Sequence, residues 1–488
     1  MEHEYDDLVE RVRRIRNVEN ASSVLNWDQE VMMPEKGVEA RAQELSTLSS
    51  IKHEILTDDE TGEILDSVKP NGEDEEAVVR EIQREYTRSV EVPDELVEEI
   101  SDTSSRAHPV WKKAREKSDF DEFAPTLERL VELKREYAEE IDPDRDPYAV
   151  LFDDFEPYID LETAERVLTN LRDSIKPLID DIRDSDVEVE KVLGSEYTDE
   201  RQREIAETAL EEMGYDFSRG RLDTSPHPFT SGNTFDARVT TRFTNPLDAL
   251  MSTIHEMGHA LYIQGLPDEG YATPLSEARD LTVHESQSRL WENHVGRSRA
   301  FWDYFAPKLN QTLETEVSPG ALYRSVNEVS PHPVRVESDE LTYHMHIVLR
   351  FEIEKDLIRG EIEVDEVPGI WNDKVEEYLG IRPENDAEGC LQDIHWSHGS
   401  FGYFPTYSLG SVLAAQVFDA ADDEIEDLNG KISRGNFSHL RDWLKEEIHR
   451  HGKRYETDDL IRRVTGDDLN VDPFVEYAEE KFGEIYGV

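Results

Sequence analysis

Apolar residues in the first half of the chain recur at helical spacing, and hardly any stretch alternates as a strand would. Tyr5, Leu8, Val9 and Val12 share one side of a helix, as do Leu127, Leu130, Val131 and Leu133, with charged residues between them. Breaks are expected at Pro70-Asn71-Gly72, at Val92-Pro93, and from Asp142-Pro143 through Asp146-Pro147, where Pro, Gly and Asn interrupt the pattern. Gly194–Arg201 and Arg219–Pro228 read as loops. The best strand candidate is Arg238–Phe243. No internal repeat and no Gly/Ser- or Pro-rich linker divides the chain. The expected fold is mainly α, a single large helical body with very few short strands. The 7 Trp, 18 Tyr and 17 Phe supply enough bulk for a sizeable core.

Charge excludes several classes of partner. Asp and Glu number 112 against 53 Lys and Arg, so the net charge is −59. A chain this negative repels phosphate backbones and anionic bilayer surfaces, so neither nucleic acid nor membrane is an expected partner. The acidity recurs along the whole chain, at Glu73–Glu76, at Glu139-Glu140 with Asp142 and Asp144, and from Asp422 to Asp427. Such a distribution suits a halophilic protein in a salt-saturated cytoplasm, where the Debye length falls to about 3 Å and self-repulsion fades. The amino terminus lacks the basic start and apolar stretch of a signal peptide, and no uncharged apolar run approaches about 18 residues. A cytoplasmic location is expected. The single cysteine, Cys390, forms no internal disulfide and is expected to pack rather than to act as a nucleophile.

Ten of the 16 histidines fall between His227 and His398, which directs attention to the middle of the chain. There, His255-Glu256-Met257-Gly258-His259 forms an H-E-x-x-H pattern. Positions i and i+4 lie on one helical face, so both imidazoles can reach one ion, with Glu256 placed to act on a water. The helix is expected from about 246 to 264, with Asn245 as cap, Pro246 in the first position, and Leu250, Ile254 and Leu261 on its apolar side. A catalytic zinc usually takes a third protein ligand. It cannot be a histidine six residues beyond His259, because Gly265 is there. Glu285, in His284-Glu285-Ser286, can return on a following helix whose apolar side carries Leu281, Leu290 and Trp291. Glu269 and Glu277 compete with it on reach.

Several blocks now resemble the carboxypeptidase Taq family of metallocarboxypeptidases. They are, in order, Leu25-Asn26-Trp27-Asp28-Gln29-Glu30 with Met33-Pro34, His227-Pro228-Phe229, Asp236-Ala237-Arg238-Val239-Thr240, the H-E-x-x-H pattern, His284-Glu285-Ser286, and Gln392-Asp393-Ile394-His395-Trp396. The resemblance covers residues from about 25 to 410. It implies His255, His259 and Glu285 as metal ligands, with zinc or sometimes cobalt as the ion. It also implies a nearly all-helical body around a deep groove capped by the amino-terminal helices, usually as a homodimer. On this reading residues 1–488 form one continuous metallocarboxypeptidase domain. Residues 1 to about 225 are the cap and groove wall, about 226–410 the catalytic core, and 411–488 a helical C-terminal part. Where thermolysin-like enzymes place an Asp four residues beyond the Glu ligand, this chain has Arg289, so the partners that orient the two histidines are not assigned.

Roles follow from chemistry. Glu256 is the expected general base, passing a proton from water to the leaving amine. The oxyanion needs a donor, and the His395–Tyr407 segment, rich in imidazoles and phenols, offers His395, Tyr403 or Tyr407. A free substrate carboxylate calls for an arginine; Arg350, flanked by apolar residues, is favoured over Arg238. His227 is either a substrate contact or a packing residue, and His332, His344 and His346 carry no role. The expected activity is release of single residues from the carboxyl end of peptides with broad specificity. The alternative is an oligopeptidase that cuts internal bonds, and a catalytically silent helical scaffold is the third reading.

Overall fold

The computed structural model describes residues 2–488, and helices dominate it. The first four, α1 (Glu2–Val31), α2 (Val38–Thr57), α3 (Asp59–Ser67) and α4 (Glu73–Glu91), close on a small core of their own containing Leu8, Val12, Ile64, Leu65, Val68, Val78 and Ile82. Arg16 ties them to the rest: Nη2 donates to Glu85 at 2.6 Å, and Nε pairs with Glu277. The following helices are α5 (Asp94–Lys117), α6 (Ala124–Ile141), α7 (Pro147–Phe152), α8 (Leu161–Asp184) and α9 (Asp199–Met213). The three expected breaks separate α3 from α4, α4 from α5, and α6 from α7. Leu127, Leu130, Val131 and Leu133 are all buried on α6, as their spacing requires.

Three short strands interrupt the helices. They are β1 (Gly220–Thr224), β2 (Thr230–Asn233) and β3 (Asp236–Thr241), in the order β1-β3-β2. β3 runs parallel to β1, pairing Leu222 with Val239, and antiparallel to β2, pairing Thr230 with Val239. Three expectations change along this stretch. Gly220–Thr224, read as loop, is a strand, because its partner β3 supplies hydrogen bonds that no local pattern announces. The strand read as Arg238–Phe243 begins at Asp236, where the tight β2–β3 turn ends, and stops at Thr241, leaving Phe243 under the Arg203 guanidinium at 5.4 Å. The loop read as Gly194–Arg201 also gives way to α9 at Asp199.

The sheet lies against α10 (Pro246–Gly265), which starts where the sequence places it. The Asn245 side chain accepts from the Leu247 and Asp248 backbone N–H groups, both at 3.0 Å, a cap contributing about 1 kcal/mol. α11 (Leu281–Arg289) returns beside α10 and runs on into a π-helical turn, Leu290–Gly296. Its first turn is capped from a distance. Glu156 accepts from the Thr282 backbone N–H at 2.6 Å and from the Thr282 hydroxyl at 2.7 Å. The remaining helices are α12 (Arg299–Leu313), α13 (Pro319–Val326), α14 (Tyr343–Arg359), α15 (Val367–Leu379), α16 (Pro405–Glu424), α17 (Leu428–Ile432), α18 (Ser438–Glu447), α19 (Thr457–Thr465) and α20 (Asp472–Tyr486). From α5 onward they share one core that includes Trp111, Trp291, Trp302, Trp371 and Phe482. Among the described residues, no helix is long and apolar enough to cross a membrane.

Two glycines set how closely the central helices approach. A Cβ at Gly258 would lie 2.6 Å from the Ser288 Cα, and one at Gly410 would lie 2.6 Å from both Cβ and Cγ of Glu285. α10 and α16 therefore both press closely against α11, at the level of Glu285 and Ser288. No residue larger than glycine fits either position unless a helix moves.

Candidate metal centre and its surroundings

α10 and α11 bring His255, His259 and Glu285 together. One ligand atom from each lies within 4.8 Å of the others. Glu285 Oε2 is 3.4 Å from His259 Nε2 and 3.8 Å from His255 Nε2. The two histidines are turned by their other nitrogens. His255 Nδ1 faces Glu292 Oε2 at 2.9 Å, while His259 Nδ1 lies 3.1 Å from the His284 carbonyl oxygen and 2.6 Å from His284 Nδ1. With the proton on Nδ1 in each ring, both Nε2 lone pairs point at the same space. This is the pairing that orients and strengthens imidazole ligands.

Glu292 is the partner that the sequence did not assign. It lies seven residues beyond Glu285, two helical turns on, within the π segment. Arg289, four residues beyond Glu285, holds two carboxylates and no histidine. Its Nε donates to Glu285 Oε1 at 2.7 Å and its Nη1 to Glu292 Oε2 at 3.3 Å; Arg297 Nη2 holds the other Glu292 oxygen at 2.8 Å. Burial alone would push the Glu285 carboxyl up, but Arg289 and the two imidazoles hold it below the usual carboxylate range. Burial works equally against a charged His255, yet Glu285 and Glu292 outweigh it and raise that imidazole. Two imidazoles and a carboxylate converging on one space fit a divalent ion. Glu292→Gln keeps the size and loses the charge, so metal affinity is expected to fall by about 10–100-fold, measured by titration with a competing chelator.

Glu256 projects from the same helix and is buried. The Thr230 hydroxyl on β2 lies 2.8 Å from both Glu256 Oε2 and its backbone oxygen, so the edge strand steadies the carboxylate. On either side of Thr230, Phe229 and Ser231 line a cavity of about 720 Å³ that reaches Trp27 and Asn26 on α1. The rivals to Glu285 are elsewhere. Glu277 is engaged by Arg16 and, at 3.0 Å, by Lys453, and Glu269 is exposed.

Tyr403 and Tyr407 stack edge-on at 5.3 Å, with the His395 ring 5.4 Å from Tyr403; His395 is half-buried and its Nδ1 has no partner among the described residues. Their loop is held from behind by Glu354, which accepts from Trp396 Nε1 at 2.7 Å, Gly402 N at 3.1 Å and Tyr148 Oη at 3.1 Å. Complete burial still raises that carboxyl to about 7.

Arg350 lies elsewhere than an anchor should. It has no exposed surface, and its donors are spent on Gln392 Oε1 at 2.7 Å, Asp393 Oδ2 at 2.6 Å and the His346 carbonyl at 2.7 Å. The apolar neighbours that suggested a buried base bury the guanidinium as well, because Asp393 neutralises it there. Arg335 takes the other Asp393 oxygen at 2.8 Å and Tyr343 Oη at 3.1 Å, and faces the Tyr407 ring at 5.5 Å. Tyr343 in turn lies under Arg289 at 5.0 Å, which links Arg335 to Glu285 through three contacts.

Arg238 is held by Asp236, Nη2 to Oδ2 at 2.7 Å, and lies 4.3 Å over the Trp27 ring. The His227 side chain is exposed at the turn before β2. His344 and His346 are core residues, bonded to Ser408 Oγ and the His332 carbonyl at 2.9 Å each. Cys390 is buried, and burial pushes its thiol up, so no thiolate is available.

A family model described as carboxypeptidase Taq (M32) metallopeptidase matches residues 7–482. The chain belongs to this family. Among M32 relatives, thermostable carboxypeptidase 1 of Thermus thermophilus is 37% identical over 99% of this chain and 99% of its own length, and carboxypeptidase 1 of Bacillus subtilis is 36% identical over 99% and 98%. The fold agrees. The M32 carboxypeptidase of Deinococcus radiodurans superposes with a TM-score of 0.97 at 35% identity, each chain fully covered, and metallocarboxypeptidase 1 of Trypanosoma cruzi with 0.96 at 34%, covering 99% of this chain and 100% of its own. The chain is a metallocarboxypeptidase of this family, and an enzyme of this class works with a divalent metal ion.

Proposed function

We propose that the protein releases single residues from the carboxyl end of peptides, with broad specificity, and that His255, His259 and Glu285 hold its metal. The observation that carries this is the convergence of His255 Nε2, His259 Nε2 and Glu285 Oε2 on one space, with Glu256 beside it. A bound ion would polarise the scissile carbonyl and acidify a water. Glu256, fixed by Thr230, takes the proton from the attacking water and gives it to the leaving amine. His395, Tyr403 or Tyr407 donates to the developing oxyanion. Arg335 receives the terminal carboxylate, with Asp393 and Arg350 holding it in place. Arg238, pinned by Asp236, and His227 remain candidates for contacts along the peptide. Zinc suits two imidazoles and a carboxylate, and cobalt takes the same donors.

We propose further that the protein is a cytoplasmic homodimer, with a cap and groove wall (1 to about 225), a catalytic core (about 226–410) and a C-terminal part (411–488). The test compares a peptide with its carboxyl-terminal amide. Stepwise release from the free acid and far slower cutting of the amide support the reading; equal cutting of both makes the protein an oligopeptidase.

The proposal extends to habitat, on the strength of the −59 charge. Activity and melting temperature are expected to rise steeply between about 0.1 M and 1 M salt, as like-charge repulsion is screened. A melting temperature that does not respond to salt overturns the halophilic reading and leaves the site assignment standing.

A further inference from the structure

Beneath α1, α2 and α4 lies a second cavity of about 500 Å³. It gathers cations in a chain that is otherwise strongly acidic. Every carboxylate in its wall is already engaged. Glu85 and Glu277 close on Arg16, Glu19 on Lys52 at 2.6 Å, and Asp154 on Arg88. Positive charge is left over. Arg84 makes no ion pair among the described residues, and its one hydrogen bond is donated by Nη2 to the Asp153 carbonyl. Arg88 has a buried Nε with no partner. Just beyond the wall, Lys134 lies 4.9 Å from the Tyr137 ring, which lines the cavity, and it too makes no ion pair among the described residues. Burial pushes its ammonium down, Asp154 pulls it up and the neighbouring Arg88 adds to the lowering, a net cost that an incoming carboxylate would offset.

This cavity adjoins the one that lies beside the candidate centre. It shares Glu19, Ser49 and Lys52 with the larger cavity that flanks Thr230. On its far side, Asp154 adjoins Phe155, whose ring meets Tyr403 edge-on at 5.1 Å. The Lys134 stem runs along the same loop, since a Cβ at Gly399 would lie 3.2 Å from Lys134 Cε. A carboxypeptidase holds only one residue beyond the scissile bond, and Arg335 occupies that end. The rest of the groove receives side chains upstream of the cut.

We infer that Arg84, Arg88 and Lys134 form a subsite for an aspartate or glutamate side chain upstream of the scissile bond, so that acidic peptides are the preferred substrates. The inference rests on the carboxypeptidase reading above. A carboxylate placed there would gain charge-assisted hydrogen bonds to Arg84 and Lys134, which make no ion pair among the described residues, and to Arg88, whose one carboxylate partner is Asp154.

The test uses the full-length metal-loaded enzyme at one fixed salt concentration. Hexapeptides sharing a carboxyl-terminal residue carry Glu or Gln at each upstream position in turn, and a blocked dipeptide, too short to reach the cavity, is the control. At one or two positions kcat/KM is expected to favour Glu by about tenfold. Arg84→Gln combined with Lys134→Met should reduce that to less than about twofold, Arg84→Lys should keep most of it, and the blocked dipeptide should be cut equally by all variants. Arg88 is left intact because it also holds the Val150 carbonyl at 2.9 Å. Equal rates for Glu and Gln peptides at every position in wild type overturn the subsite, as does a preference that survives the double variant. Failure to cut any peptide, the dipeptide included, overturns the carboxypeptidase reading itself and the subsite with it.

Discussion

Glu256→Gln is expected to lower kcat by about 10²–10⁴-fold while the protein keeps roughly one metal ion per chain. The amide has the size of the carboxylate and can still meet the Thr230 hydroxyl, so the local fold should survive. What it cannot do is take a proton. Because Glu256 lies outside the cluster of His255, His259 and Glu285, losing its charge should leave the ion seated. Glu285→Ala should behave differently. It removes one of three donors and strands Arg289, whose Nε is 2.7 Å from Glu285 Oε1, so metal and activity should go together. Elemental analysis beside single-turnover rates separates the two outcomes. Activity above about 1% of wild type in Glu256→Gln would exclude it as general base.

The second large effect concerns the arginines around Asp393. Arg335→Ala should cut kcat/KM for free-acid peptides by a factor corresponding to about 2–5 kcal/mol, and should nearly erase the distinction between acid and amide. Metal content should change little, and the melting temperature should fall less than in the Arg350 variant, because Asp393 keeps Arg350 as a partner and Arg335 retains a little exposure where Arg350 has none. Arg350→Ala should do the reverse. Its guanidinium is enclosed 4.5 Å from the Trp371 ring and donates to Gln392, Asp393 and His346. Removing it breaks a buried ion pair and opens a void, destabilising the fold by about 3–5 kcal/mol. Denaturant melts of both variants, run with paired acid and amide substrates, check the assignment. An Arg350→Ala protein of normal stability that has lost only its carboxylate preference would return the anchor to Arg350.

What the sequence reveals about this molecule depends on the range of the interaction concerned. The helix over 246–265 is legible because cap, first-turn proline and apolar spacing are all local. The pairing of His255 with His259 is legible for the same reason, being one helical turn. Glu285 needed only a returning helix. Glu292 is not legible, because it stands at the seventh residue beyond Glu285, in a π turn that no spacing rule anticipates. Thr230 reaches Glu256 only through strand pairing, and β1 exists only because β3 lies alongside it. The enclosure of Arg350 is hidden for the same reason. Its apolar neighbours are adjacent in sequence, but Asp393, which decides that the guanidinium is enclosed, comes 43 residues later. Arg335 sits in an irregular stretch between Pro333 and α14, where no periodicity directs attention to it.

The two close contacts around α11 enlarge the mutational target of the metal centre. A side chain at Gly410 would collide with Glu285, and one at Gly258 with the backbone at Ser288. A single-base change that yields alanine at either position could therefore disable the centre as surely as the loss of a histidine, although neither glycine offers an atom to the ion. In a lineage of such enzymes, the heritable definition of the centre includes residues whose contribution is the space they leave empty.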